Sequence, residues 1–499
     1  MPLLGVVLAA FGNDTADIAG RDILRYALTS AWLALLVGCA VAVLGTIAAW
    51  LVVMHRFPGR DIFAWALALP LAVPAFALAY GYADLFDVAG PLRIWLRGTA
   101  GFDLPFEMRT VSGAAFVLSA AFYPYVYLAM RAAFLTQSVG VLEASRMLGC
   151  SGLAALWRVA LPMARAALVA GVALAVMETL ADYGAVRFLS VQTLTTGVVR
   201  AWSVYGSTVS AARFAIPLLL AAALLLWLER ASRRGRTHES GRARWRAIEP
   251  IPLSPTKGLL AGLFCLTLLS AGLLLPVGWL VWNLPETSPD WARLLAALGN
   301  SLSLGVAGAV VTVILATMLA LGTRKLPLAA RIASLGYATP GAVMAIGLLA
   351  PASVIWALVP GSGAAIAIVL LVLAYAARLM AAALEPIDAG LERVTPSMIE
   401  AARTLGRGES GAAVAVQLPL ARSAMLTAGL IVFIDVLKEL PATLILRPFD
   451  FDTLAVIASN YALDERLGQA GLPAILIIVI ALPAVVWLSR RIAMARPGQ

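Results

Sequence analysis

The stretch Glu143-Ala144-Ser145-Arg146-Met147-Leu148-Gly149 recurs in this chain as Glu400-Ala401-Ala402-Arg403-Thr404-Leu405-Gly406, and each copy leads at the same distance to Leu-Pro, at Leu161-Pro162 and Leu418-Pro419. Every element of the phrase is displaced by 257 residues. Each copy lies in a polar, Arg-bearing segment between long apolar runs, so the repeated object reads as a helix carried on a loop outside the membrane, where another molecule can bind it.

The surrounding composition sets the class. With 62% hydrophobic and 13% charged residues among 499, the chain cannot enclose its apolar surface in one soluble core and needs a bilayer as solvent. Apolar blocks of about 20 residues, rich in Ala and Leu, predict helices rather than the alternation of a barrel. The fold class is therefore all-α, a polytopic membrane protein. The net charge of +10 is carried mostly by short loops beside apolar runs, which the positive-inside rule explains without nucleic acid. Cys39, Cys150 and Cys265 are odd in number and far apart, so no disulfide framework or metal knuckle is readable. Pro2 to Phe11 is apolar but lacks a basic n-region, so no cleavable secretory signal is expected.

Apolar blocks predict spans near 27–53, 62–82, 111–134, 166–186, 211–228, 258–282, 301–322, 332–358, 363–384, 423–446 and 471–488. Basic clusters at His55-Arg56 to Arg60, Arg230 to Arg246, Arg324-Lys325 and Arg490-Arg491 to Arg496 follow alternate spans and mark the cytoplasmic face. Six spans separate the two copies of the phrase, so both emerge on that face and the duplication is parallel. It divides the chain into a shortened first membrane segment with its outer loop (1–23), a first membrane domain (24–229), and a basic cytoplasmic linker (230–256). The first span of the second repeat with its outer loop (257–296), a second membrane domain (297–488) and a basic cytoplasmic tail (489–499) follow. Measured against Gly258 to Trp282, the opening Pro2 to Phe11 is about 14 residues short and cannot cross a bilayer as a helix. A start further upstream and a dispensable first helix both remain open at this point.

Small residues at Ala144, Ser145, Ala401 and Ala402 let a docked helix approach a partner backbone closely. Gly149 and Gly406 are predicted to end that helix, Pro162 and Pro419 to open the next membrane segment, and Glu143 and Glu400 to sit at the helix start, facing the positive end of its dipole. Solvated capping charges would use Glu143 and Glu400 in the same way.

This pattern, E-A-A, three residues, G, then L-P, resembles the cytoplasmic signature of permease subunits of binding-protein-dependent ABC importers with the type I transmembrane fold. The resemblance covers both halves, 24–229 and 297–488, and implies two fused permease domains in a bacterial inner membrane with about 11–12 transmembrane helices. It implies that Glu143 to Gly149 and Glu400 to Gly406 carry coupling helices, each seated in a cleft of one of two ATPase subunits. It further implies that an extracytoplasmic solute-binding protein delivers the solute. Ser145 departs from the family's Ala, a small-for-small change. Met177-Glu178-Thr179-Leu180-Ala181-Asp182-Tyr183-Gly184 with Thr193-Leu194-Thr195-Thr196-Gly197 looks like the fused permeases of ferric iron importers. So does Asp435-Val436-Leu437-Lys438-Glu439-Leu440-Pro441-Ala442-Thr443 with Thr453-Leu454-Ala455. Related permeases serve thiamine, polyamines, sulfate and other small solutes.

At the 257-residue offset Glu178 falls on Asp435 and Asp182 on Glu439, so each half offers two acids four residues apart on one helix face near the outer end of a span. They are candidates for lining a translocation path, or for pairing with Lys438, Arg187 or Arg447. No His or Cys joins them, so no metal site is expected. Arg131 and Arg378 are expected to snorkel at cytoplasmic ends of spans, leaving mid-span regions nearly free of charge. No Gly-rich Lys-Ser/Thr phosphate loop occurs, so ATP hydrolysis falls to separate subunits and no catalytic residue or cofactor is expected. A twelve-span secondary transporter is the rival transport reading, and a membrane-embedded enzyme would need His, Asp or Ser clusters at membrane depth that the chain lacks.

Overall fold

The computed structural model describes all residues except 1, 13–19, 104–105, 138–144, 146, 148, 150–151, 234–249, 285–287, 323–335, 337–338, 359–360, 362 and 495–499. The first repeat runs through α1 (Pro2–Ala10), α2 (Gly20–Met54), α3 (Arg60–Ala66), α4 (Ala75–Phe86), α5 (Val111–Leu135), α6 (Leu161–Ala181), α7 (Gly184–Phe188), α8 (Leu194–Ser203) and α9 (Thr208–Arg233). The second comprises α10 (Pro255–Leu269), α11 (Leu275–Trp282), α12 (Trp291–Gly322), α13 (Gly341–Leu358), α14 (Gly363–Leu391) and α15 (Pro396–Thr404). It closes with α16 (Leu418–Leu437), α17 (Pro441–Leu446), α18 (Leu454–Leu463) and α19 (Leu467–Met494). Among the described residues, one parallel pairing joins β1 (His55–Arg56) to β2 (Ile251–Pro252). Nine helices there are long and apolar enough to cross a membrane, ten if the bent pair Arg60–Ala72 and Ala75–Ala100 is one crossing.

The chain forms two compact units that cut across the repeats: Met1–Gly20 with Leu194–Leu220 and Pro289–Asn460, and Arg21–Thr193 with Ala221–Ser288 and Tyr461–Gln499. Each has a three-helix centre from one repeat. In the first unit α12, α14 and α16 pack mutually. In the second α5 packs on α6, and Trp50 of α2 meets Phe134 of α5 edge-on at 5.5 Å between ring centroids. Each unit also takes in the opening segment of the other repeat, α1 on α13 and α11 on α4.

The two borrowed contacts use the same device. A Cβ on Gly81 would lie 2.9 Å from the Pro276 carbonyl oxygen, and one on Gly347 would meet the Pro2 carbonyl oxygen even more closely. Pro74 to Gly81 and Pro340 to Gly347 have equal spacing, so the receiving helices are repeat partners and Pro2 stands where Pro276 stands. α1 has 9 residues and the Pro255–Trp282 span has 28. Around α11, the Trp279 indole donates to Asp84 at 2.7 Å and Asn283 donates to the same oxygen at 3.0 Å. Around α1, Arg213 of α9 donates to the Ala10 and Gly12 carbonyls at 3.3 Å. Gly81→Ala is expected to cost about 1–3 kcal/mol by overpacking and to lower the thermal midpoint of the purified chain. Gly278→Ala, whose Cβ would meet nothing within 4 Å, is the control expected to leave it in place.

Three expected spans end early. The 62–82 run is broken by a 92° bend, because Pro74 lacks an N–H and drives Val73 into extended backbone (φ −91°, ψ 122°). The 166–186 run stops at Asp182, and 423–446 stops at Lys438, each followed by a short separate helix, α7 or α17. Pro441 accounts for the second break. The 332–358 run is described at Gly336 and from Thr339, where Pro340 precedes α13; residues 323–335, with the Arg324-Lys325 cluster, lie outside the described residues. So do 234–249 of the basic linker.

Candidate functional site

α15 begins at Thr395, whose extended backbone (φ −70°, ψ 150°) admits Pro396 at the first helical position. Glu400 and Ala401 are exposed, whereas Ala402 is 6% exposed and faces inward. Glu400 is the fifth residue of the helix and no acid occupies its first turn, which corrects the expectation that it sits at the helix start. The Pro396 start adds a turn before it. Beyond Thr404 the Gly406 N–H donates to the Arg403 carbonyl at 3.0 Å and the Arg407 N–H to the Ala402 carbonyl at 3.2 Å. This 5→2 and 6→1 closure needs a left-handed residue, and Gly406 has φ 82°. A Cβ there would meet nothing within 4 Å, so conformation rather than space requires glycine. Met398 and Leu405 are 45% and 82% exposed on this segment.

Glu143 and Ala144, in the first copy, lie outside the described residues. The residues that flank them repeat the second copy. Ser145 is 6% exposed, as Ala402 is, and Gly149 has φ 81°.

Both copies enter the membrane through the same irregularity. Leu156–Ala160 and Ala413–Gln417 are π turns, and each runs directly into a helix with proline second, Pro162 or Pro419. Proline cannot donate to the carbonyl four residues back, so the ladder slips and Leu161 and Leu418 donate five residues back instead. A third Leu-Pro, Leu275-Pro276, follows the π turn Ser270–Leu274, where the Tyr82 hydroxyl donates to the Ala271 carbonyl at 2.7 Å.

The four acids do not act alike. Asp182 accepts the Ala185 and Val186 N–H groups at 3.0 and 3.1 Å, and Glu439 accepts the Ala442 N–H at 3.0 Å, so both secure the first turn of a short helix. Asp435 pairs with Lys438 at 2.9 Å, as one sequence reading held. Glu178 is half-buried in the last turn of α6. Glu439, 6% exposed, also pairs with Arg378, a partner 61 residues away that sequence spacing does not reveal. Arg378 therefore does not snorkel. It is the sixteenth of 29 residues in α14, so this mid-helix region is not free of charge. Arg131 does not snorkel either: it is 6% exposed, because α5 is largely enclosed. The carboxylate of Glu439 occupies the place a Cβ on Gly341 would take. In the first repeat the corresponding pair is Ala75 with Asp182, one methyl more against one methylene less. Among the described residues no group of three or more His, Cys, Asp or Glu is placed to hold a metal.

Residues 41–238 match the family model for the binding-protein-dependent transport system inner membrane component. The chain is 24% identical over 456 residues, 88% of its length and 84% of the relative's, to the Fe(3+)-transport system permease protein FbpB 2 of Haemophilus influenzae. It is 32% identical over 148 residues to the sulfate transport system permease protein CysT of Escherichia coli, covering 30% of this chain and 52% of that one. It is 27% identical over 161 residues to the putative 2-aminoethylphosphonate transport system permease protein PhnU of Salmonella typhimurium, covering 32% of this chain and 56% of that one. In sequence, over 88% of its length, and in its all-helical fold with several helices long and apolar enough to cross a membrane, the chain is thus similar to permease components of binding-protein-dependent transport systems.

Proposed function

We propose that the chain is the whole translocation path of a ferric iron importer, built from two permease domains, 24–229 and 297–488, fused by the 230–256 linker. An extracytoplasmic binding protein delivers the ion, and two ATPase subunits dock on the cytoplasmic segments of Glu143 to Gly149 and Glu400 to Gly406. In this reading Glu400 and Ala401 face the ATPase, Ser145 and Ala402 seat each segment on its own permease domain, and Gly149 and Gly406 end the docking helices. Pro162 and Pro419, through the π turns, carry motion from those segments into α6 and α16. ATP-driven closure of the ATPases then shifts the spans between inward- and outward-open states, by preferring one of them.

The iron reading is supported by one observation: the similarity to an Fe(3+) permease runs over 88% of this chain, through both repeats. The matches to sulfate and aminoethylphosphonate permeases cover about a third of it. Sulfate is the second reading, favoured by the higher identity within its shorter match. Glu178, Asp182, Asp435 and Glu439 stay candidates for the path lining. Asp182, Asp435 and Glu439 are engaged by backbone or by Lys438 and Arg378, which suits weak, transient contact with a passing cation. Uptake of radiolabelled ferric iron and of sulfate is to be compared in a deletion strain with and without the gene restored. Loss of iron uptake with sulfate uptake intact is expected; the reverse pattern would replace iron by sulfate.

A further inference from the structure

We propose that the unit built on α2, α5 and α6 holds one anionic phospholipid at its basic-loop end, in a cleft between α2 and α10. The cleft has a volume of about 610 Å³. One wall is a stripe of α10, Lys257, Leu260, Ala261 and Phe264, at the spacing of one helix face. The facing wall is Ile47, Trp50 and Leu51 of α2, with His55 one turn beyond. Trp50 and Leu156 form its buried floor, at 5% and 4% exposure. Leu260 and Ile47, at 65% and 36% exposure, leave it open on the flank of two membrane helices.

The polarity of the cleft is graded along α2 and α10. Its two ionisable lining groups, Lys257 and His55, sit at the end where α2 finishes and α10 begins, and its walls deeper along both helices are apolar. Among the described residues no carboxylate lines it. That end is fixed in place: β1 pairs with β2 through His55 opposite Ile251 and Arg56 opposite Pro252, and the Leu253 N–H donates to the Arg56 carbonyl at 3.1 Å. An acyl chain suits the apolar length, and a phosphate suits a basic rim at headgroup depth on the face the positive loops mark as cytoplasmic. The charge complementarity commits the site to a phospholipid of net negative charge. A soluble phosphate would gain nothing from the apolar walls.

The test is native mass spectrometry of the full-length chain in mild detergent, mixed with equal amounts of phosphatidylglycerol and phosphatidylcholine. One retained phosphatidylglycerol is expected in preference to phosphatidylcholine, and Lys257→Glu, at an exposed position, should lower its occupancy about fivefold or more. Ala261→Trp, which fills the cleft, should remove both lipids. Equal retention of the two lipids, or unchanged occupancy in Lys257→Glu, overturns the proposal even if Ala261→Trp does not fold. Displacement of the lipid by an equal concentration of inorganic phosphate also overturns it and assigns the rim to a soluble anion.

Discussion

Glu439→Gln is expected to destabilise the chain by about 3–5 kcal/mol, the largest stability effect of any single exchange considered for this fold. The exchange keeps the size of the side chain and an acceptor for the Ala442 N–H, so it isolates the charge. What it leaves behind is the Arg378 guanidinium, whose side chain is 13% exposed in the middle of α14, without its carboxylate. An uncompensated buried charge is costly, whereas removing both partners together is close to neutral when the replacements pack well. Arg378→Met with Glu439→Gln should therefore recover most of the loss. The first repeat supplies a second control. Gly341→Ala alone pushes a methyl group into the carboxylate, and combining it with Glu439→Asp recreates the Ala75 and Asp182 arrangement, which should restore part of the stability. Thermal unfolding of the purified variants, followed by tryptophan fluorescence, reads all four. A Glu439→Gln midpoint equal to that of the unaltered chain would remove the ion pair from the account.

The second large effect concerns Gly406. A β-branched residue at φ 82° pays about 1–2 kcal/mol for the left-handed conformation. No neighbour lies within 4 Å of the new Cβ, so the damage stays in α15 and its closure at Ala402 and Arg403. Gly406→Val should therefore reach the membrane in normal amount yet bind its ATPase roughly tenfold more weakly, with uptake falling in proportion. Gly408→Ala is the matched control, since Gly408 has an ordinary φ of −65° and equally open surroundings. Normal uptake by Gly406→Val would show that the form of α15 is immaterial to transport.

The doubled Glu-Ala, Gly, Leu-Pro phrase made the duplication and the position of α15 legible, and the apolar blocks made the all-helical class legible, because each depends on local spacing or local apolar length. The turn at Gly406 was readable for the same reason: only glycine takes that conformation cheaply. What escaped was long-range or depended on a single proline's effect on its neighbours. The Arg378 and Glu439 pair joins residues whose separation follows no helical period. The bend at Pro74 hides inside an apolar run that looks continuous. Pro2 against Gly347 repeats Pro276 against Gly81, and the equal Pro-to-Gly spacing in Pro74 to Gly81 and Pro340 to Gly347 was a sequence signal that could have located it.

The central claim is that the segment ending at Gly406 docks an ATPase on the cytoplasmic face. Leu405, 82% exposed beside Gly406, is the residue to probe, as Leu405→Cys in a chain whose Cys39, Cys150 and Cys265 are replaced by Ser. Bifunctional thiol cross-linking in inverted membrane vesicles that contain the whole transporter should join it to an ATPase subunit, with a yield that changes when ATP is added. Labelling of the same cysteine by an impermeant thiol reagent from the outside of intact cells, with no ATPase adduct, would contradict the account.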